Sequence, residues 1–137
     1  MNALWMFSGG LGLPEKEYYF DAKFADQRGA YLAYLERTFR HIGEASPREA
    51  ASRVMTFETY VAQLNWDAEQ KRQIEKINNP MSGRELAAYA PGVDWDAFFA
   101  GHNIPPQERI IVTDNTAVKA IAALFAWPRS SCGRRRR

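Results

Sequence analysis

The residue types that most often carry out catalysis are scarce in this sequence and stand apart from one another. Its 137 residues contain two histidines, His41 and His102, and neither belongs to a His-Glu-x-x-His helix of the kind that holds a catalytic zinc ion. An acid, Glu44, follows His41 by three positions, but Gly43 lies between them and favours the end of a helix. Both histidines are interpreted as surface or helix-end side chains, and we predict no metal site in this chain.

Nucleophilic and phosphate-binding chemistry is not indicated either. The single cysteine, Cys132, lies among arginines near the C-terminus, and no serine stands in a Gly-x-Ser-x-Gly turn. The glycines of segment 9–12 lack the Lys and Ser/Thr that complete a phosphate-binding loop. Pairs of acidic residues occur where helices begin, and the helix dipole already favours them there: Glu15/Glu17, Asp67/Glu69 and Asp94/Asp96. We therefore predict no catalytic and no cofactor-binding residue in this chain.

The charge of the chain is unevenly distributed along it. Of its 18 basic residues, five arginines lie at positions 129 and 134–137, so residues 1–128 hold 13 basic against 16 acidic residues and a net charge of −3. Such a body lacks the wide basic surface of a nucleic-acid-binding protein, and no specific nucleic-acid partner is predicted. The arginine run by itself would attract phosphates or anionic lipids without specificity.

The sequence gives no sign of a membrane-directed segment. The apolar run at 1–7 has no basic residue before it and is shorter than the core of a secretory signal. No window approaches the ~20 apolar residues that a membrane span needs. We predict no membrane span in this chain and assign no compartment.

Two long segments with apolar residues at helical spacing dominate the first half of the chain. The first begins near Asp21 and ends at Gly43, and the second begins at a Ser46-Pro47-Arg48-Glu49 capping box. Their stripes predict an antiparallel helical hairpin; they consist of Phe24, Tyr31, Leu35, Phe39 and Ile42 on one helix and Ala50, Val54, Phe57, Val61 and Leu64 on the other.

Several shorter helices are predicted in the second half. They cover 67–77, 82–89, 94–99 and 114–125, with caps at Ser82 and Asp94, a further cap at Asp114, and apolar anchors at Ile74 and Ile77. Segment 109–113 is β-branched and predicted to be extended. The fold class is therefore predicted to be all-α, with residues 1–14 as a loop-like start, 15–126 as a helical domain, and 127–137 as a disordered basic tail.

The order of these segments resembles the N-terminal helical domain of the neprilysin and endothelin-converting-enzyme family of zinc metallopeptidases. Segment 9–19 is similar to the family's Gly-Leu-Gly-Leu-Pro-Asp-Arg-Asp-Tyr-Tyr stretch. Other matching segments are Phe57-Glu58 with Trp66, Asn79-Pro80-Met81-Ser82 with Glu85-Leu86, Pro91-Gly92-Val93-Asp94-Trp95, and Ile110–Val112 with Val118-Lys119-Ala120. The chain departs from the family pattern at Arg72-Gln73 and at Asn78. The resemblance covers about residues 8–126.

The resemblance implies a part of a metalloendopeptidase, namely the helical domain that encloses the substrate cavity. The family's His-Glu-x-x-His helix, its glutamate ligand and its Asn-Ala-Tyr-Tyr stretch lie in a later catalytic domain and do not occur in this sequence. We therefore expect this chain alone to be inactive. Zinc and peptide substrates belong to the full-length parent, and the missing catalytic domain is the expected partner. Family members are commonly periplasmic, extracytoplasmic or membrane-anchored facing outward.

The resemblance also bears on the two ends of the sequence. Relatives begin upstream of Gly9, and the pattern is lost from Trp127 onward. We therefore expect a chain truncated at both ends, with residues 127–137 as a possible frameshift product. The alternative is a stand-alone helical interaction module that docks on a separate partner chain.

Overall fold

In a computed structural model, residues 3–126 are described, and the predicted basic tail at 127–137 lies outside this range. The described residues form seven α-helices and a small three-stranded sheet. The helices are α1 (Glu17–Phe20), α2 (Ala25–His41), α3 (Pro47–Leu64), α4 (Ile74–Ile77), α5 (Gly83–Tyr89), α6 (Trp95–Gly101) and α7 (Asn115–Phe125), and the strands are β1 (Leu4–Met6), β2 (Asn79–Met81) and β3 (Ile110–Val112). The predicted, mostly helical fold class is confirmed.

The predicted hairpin is formed by α2 and α3, which pack against each other and are joined by a short loop. Gly43 ends α2 with a φ of +79°, and the N–H of Glu44 reaches the Phe39 carbonyl at 3.0 Å, as in a glycine-terminated helix. Helix α2 begins at Ala25, after a 3-10 turn at Ala22–Phe24. The predicted stripes are wrong at two positions, because Ile42 and Phe57 are exposed.

The predicted helix caps have different outcomes. Ser82 and Glu85 form the expected reciprocal capping box, with N–H donors at 3.2 and 2.7 Å from the partner oxygens, and the Asp94 carboxylate accepts from the N–H of Ala97 at 3.0 Å. The box predicted at Ser46 is wrong, because no side-chain bond caps α3 there. Helix α3 still begins with Pro47 at its first position, where the missing N–H costs nothing.

The helix predicted over 67–77 is wrong as a continuous element. The segment is divided into a 3-10 turn at Gln70–Arg72 and the single turn of α4. Local side-chain bonds compete with the helix at its start. The Asp67 carboxylate accepts from the N–H of Gln70 at 2.7 Å, and the Gln70 side-chain oxygen accepts from the N–H of Asp67 at 3.1 Å. Ile74 is no anchor either, because 73% of its surface is exposed.

The predicted extended segment is the central strand of the sheet. Strand β3 lies between β1, which is parallel to it, and β2, which is antiparallel, with Leu4 and Met81 both opposite Ile110. All three residues of β3 are buried, so their backbone groups need partners on both sides. These partners come from β1, within the predicted loop-like start, and from β2, which contains Asn79 and Pro80. Pro80 fits an edge strand because it has no N–H to donate.

Two apolar clusters of buried residues form the core. The larger surrounds β3 and contains Leu86, Ala90, Trp95, Phe99, Ile110, Val112, Val118 and Ala122. The smaller contains Leu13, Tyr19 and Ala62 and packs the segment before α1 onto the hairpin. Within the described residues, no helix has both the length and the apolar character to cross a bilayer.

Candidate functional site

The two histidines lie at separate and exposed positions. His41 is in the last turn of α2, and His102 follows α6, where its ring meets Phe98 with ring centroids 4.8 Å apart. Across residues 3–126, no group of three or more His, Cys, Asp or Glu side chains could share a metal ion. A catalytic zinc site takes three protein ligands, so these residues do not fit one. Cys132 lies outside the described range.

A polar cluster is centred on Glu58, on the inner side of α3. Its carboxylate accepts from the hydroxyls of Tyr19 at 2.7 Å and Tyr31 at 2.8 Å, and from the N–H of Gly12 at 3.2 Å. The Tyr19 hydroxyl in turn accepts from the N–H of Leu13 at 3.1 Å. Three donors from three segments thus converge on one side chain and hold the segment before α1 against the hairpin.

The environment of Glu58 also changes the acidity of the two tyrosines. Burial is the largest cause that raises the pKa of Tyr19 to about 12, and the hydrogen bond to the Glu58 carboxylate adds to it. Burial and the same carboxylate raise the pKa of Tyr31. Both phenols stay protonated at neutral pH, so they serve as hydrogen-bond donors and not as bases.

A second carboxylate, that of the buried Asp114, fastens the loop that follows β1. Only 2% of Asp114 is exposed, and it accepts from both the N–H of Ser8, at 2.8 Å, and the Ser8 hydroxyl. The Thr113 hydroxyl donates to it at 3.1 Å. Asp114 does lie at the predicted N-cap position of α7, but the expected side-chain cap is wrong, because its carboxylate oxygens bind Ser8 and Thr113 and make no bond to the helix.

An apolar groove of about 490 Å³ lies beside this fastened loop. One wall is residues 6–9, the floor is the turn at Gly92 with α6, and the other wall is α7. Its rim carries two largely exposed rings, Phe7 at 72% and Phe125 at 66% exposure, and Phe98 is also exposed. The arrangement offers no reactive side chain, and its chemistry is that of a surface that binds apolar groups. We refer to it below as the α6–α7 groove.

Sequence reasoning missed both the Glu58 cluster and the groove. Glu58 occurs in a matched stretch, but its partners Gly12, Tyr19 and Tyr31 come from three other segments of the chain. For the groove, the sequence offers two indications. Phe7 is a large apolar residue outside every predicted helix, and Phe125 is a large apolar residue at the end of the last predicted helix. Neither position reveals from sequence alone that the two rings line one depression.

The sequence matches known proteins over most of its length. A model of peptidase family M13 matches residues 1–131. Endothelin-converting enzyme 1 of Rattus norvegicus is 28% identical over 133 residues, which cover 90% of this chain and 17% of that protein. The Homo sapiens enzyme of the same name has the same identity and the same coverage. The chain thus spans about a sixth of the length of these curated relatives.

Solved structures agree with this match at the level of the fold. The zinc metalloprotease Zmp1 of Mycobacterium tuberculosis, in complex with an inhibitor, superposes with a TM-score of 0.84 at 24% identity, covering 89% of this chain and 19% of that one. Its open state gives a TM-score of 0.82 at 23% identity. The family resemblance drawn from the sequence segments is confirmed: the chain belongs to peptidase family M13, in the region that is N-terminal in that family.

Proposed function

We propose that this chain is the N-terminal helical part of an M13 zinc metalloendopeptidase and supplies the wall that encloses the substrate cavity of the whole protein. The observation that carries the proposal is the family match over residues 1–131, together with a span of only 17% of the length of a relative. On this proposal the α2–α3 hairpin and the Glu58 cluster give the wall its rigidity. They shape and limit the cavity, and they do not contact the reacting bond.

Zinc binding and peptide hydrolysis belong, on this proposal, to the part of the protein outside this chain. The solved relative is named a zinc metalloprotease, whereas the residues at 3–126 here do not bring together the ligands of a zinc site. Zinc supplies an activated water when it is bound in such enzymes. The residues of this chain act earlier, by admitting and positioning a peptide.

The test is reconstitution of activity from two polypeptides. The full chain is co-expressed with the portion of human endothelin-converting enzyme 1 that lies outside the aligned region, and hydrolysis of a fluorogenic peptide is measured with and without a zinc chelator. We expect no hydrolysis by the chain alone and chelator-sensitive hydrolysis by the pair. Zinc-dependent hydrolysis by the purified chain alone would contradict the proposal, and so would a pair that assembles without activity.

A stand-alone interaction module is not favoured by any observation of its own. Its main support would be exposed apolar surface, and membership of family M13 already accounts for such surface if the chain packs on the rest of a peptidase.

A further inference from the structure

We propose that the α6–α7 groove is the docking site for the polypeptide segment that directly follows the α7 region in longer members of family M13. The inference rests on the proposed function and deepens it. It specifies which surface of this chain meets the rest of the peptidase, and which segment occupies that surface first.

The exposed rings of the groove point to an apolar occupant. Phe7, Phe98 and Phe125 are all exposed although each lines or rims the same depression. A buried aromatic side chain removes roughly 150–250 Å² from water, so three of them in one place form a patch that is rarely left bare. An occupant that covers all three would therefore gain most of its affinity from apolar contact.

The polar groups at the groove are already engaged inside the chain. The Ser8 side chain and N–H donate to Asp114, and the Asp94 carboxylate accepts from the N–H of Ala97. The Trp95 ring donates to the Ala90 carbonyl at 2.7 Å. With these bonds made inside the chain, the surface that the groove offers to an occupant is mainly apolar.

The groove is also preformed. Asp114 holds the loop at residues 7–9 in place, and Gly92 packs so closely on the Ala122 carbonyl that a Cβ at position 92 would overlap it. Both walls are therefore fixed before anything binds. A site that is already shaped costs little to order when its occupant arrives.

The position of α7 identifies the occupant. The last turn of α7 forms one wall, and Phe125 stands on the rim, so a polypeptide that continues from α7 starts beside the groove. The endothelin-converting enzymes are several times longer than this chain, which covers 17% of the rat enzyme. Within such a longer protein, a segment attached so near its site binds at a high effective concentration, so it reaches the groove before more distant segments do.

The experiment measures binding of a defined probe to the full chain. The probe is a fluorescein-labelled peptide of about 15 residues, enough for roughly four helical turns, with the sequence that directly follows the aligned region of human endothelin-converting enzyme 1. A scrambled peptide of the same composition is the control, and fluorescence anisotropy gives the affinity. The variants are Phe7→Asp and Phe125→Asp, which lie on the rim. Phe57→Asp is the matched control, because Phe57 is similarly exposed, at 54%, but lies on α3 outside the groove.

We expect saturable binding of the probe, weakened about tenfold or more by each rim substitution and unchanged by Phe57→Asp. Circular dichroism checks that the variants are folded, which their exposure favours. Equal loss with all three substitutions, or no preference over the scrambled peptide, overturns the inference. A dimer that the rim substitutions dissociate, with no probe binding, also overturns it and assigns the groove to a second copy. If the probe does not bind but reconstitution succeeds, only the assignment of the groove is refuted. A pair that assembles without activity refutes the proposed function.

Discussion

At the scale of single residues, Glu58 joins three other segments of the chain through one carboxylate. Its carboxylate takes donors from Gly12, Tyr19 and Tyr31, and Gly12 has no room for a larger residue because a Cβ there would overlap the Tyr31 hydroxyl. Glycine at 12 and the two tyrosines are thus parts of one arrangement. The local sequence shows a Gly-Leu-Gly-Leu-Pro loop, but not that its second glycine makes space for a tyrosine from α2.

Replacement of Glu58 by alanine should lower the free energy of unfolding by about 2–3 kcal/mol. The substitution leaves the Tyr19 and Tyr31 hydroxyls without their acceptor, and hydrogen bonds to charged groups contribute more than neutral ones. Urea denaturation followed by circular dichroism measures the change. The control is Glu36→Ala, which removes a surface pair with Arg40 and should cost no more than about 0.5 kcal/mol. Equal costs for the two substitutions would refute the role given to Glu58.

The raised pKa of Tyr19 predicts a loss of stability in alkaline solution. Tyrosine in the unfolded chain releases its proton near pH 10, whereas folded Tyr19 keeps it until about pH 12. The stabilising contribution is therefore complete below pH 10 and is lost as the pH rises from 10 to 12. Urea unfolding across this range should show the decline.

The substitution Tyr19→Phe should make that alkaline decline less steep, because it removes one of the groups that titrate differently in the two states. Tyr60→Phe, at an exposed position of α3, is the matched control. The interpretation is wrong if Tyr60→Phe flattens the alkaline decline as much as Tyr19→Phe does.

At the scale of elements, the helix ends differ in how firmly they are fixed. Ser82→Ala removes the bond that the Ser82 hydroxyl accepts from the N–H of Glu85 at the start of α5, and it should cost about 1 kcal/mol in thermal unfolding. Ser46→Ala is the natural comparison, because Ser46 precedes α3 without a side-chain cap, and it should change stability little. A larger effect at Ser46 than at Ser82 would mean that the caps are assigned the wrong way round.

The close packing of α7 on the turn before α6 gives a second prediction at this scale. Gly92→Ala places a methyl group against the Ala122 carbonyl, so α7 has to shift, at a cost of about 1–3 kcal/mol. Gly101→Ala, at the end of α6, meets no atom within 4 Å and should be neutral or slightly stabilising. Thermal unfolding of the two variants measures the difference. Similar melting temperatures would contradict the close packing of Gly92 on α7.

At the scale of the whole molecule, the two apolar clusters are joined through α3 and α7. The Trp66 ring, which follows α3, donates to the Thr116 hydroxyl in the first turn of α7 at 2.7 Å. Thr116→Val leaves that donor without its partner, at a cost of about 1–2 kcal/mol. Hydrogen exchange should then show faster opening of α7 with little change in the middle of α2. Uniform acceleration in both helices would show that the two clusters open as one unit.

The sequence predicts the local features of this fold better than the distant ones. The hairpin follows from a 3.6-residue period that lies within each helix, and the Ser82 box from residues three positions apart. Strand β3 is also visible as Ile-Ile-Val. Its partners are not, because β1 pairs with it across more than a hundred residues. Asp114 was predictable only as a cap, since nothing near it reveals that Ser8 takes its carboxylate.

The candidate site, the α6–α7 groove, depends on contacts between residues that are distant in the sequence. The absence of a catalytic motif can be read along the chain, but a groove is formed by side chains that meet only after folding. Phe7, Phe98 and Phe125 come from a loop and two helices. Their shared depression depends on the β1–β3 pairing and on the contact of Gly92 with Ala122, and both of these are non-local.

The parallel pairing of β1 with β3 has a consequence for synthesis on the ribosome. Ile110 emerges 106 residues after its partner Leu4, which is roughly 5–20 s at about 5–20 residues per second. The α2–α3 hairpin, built from local contacts, can form during that interval. Strand β1, with its exposed Trp5, has to wait without its neighbour. Strand β1 is thus made long before β3 and can reach its place only after the hairpin has formed, so its unpaired edge needs protection during translation.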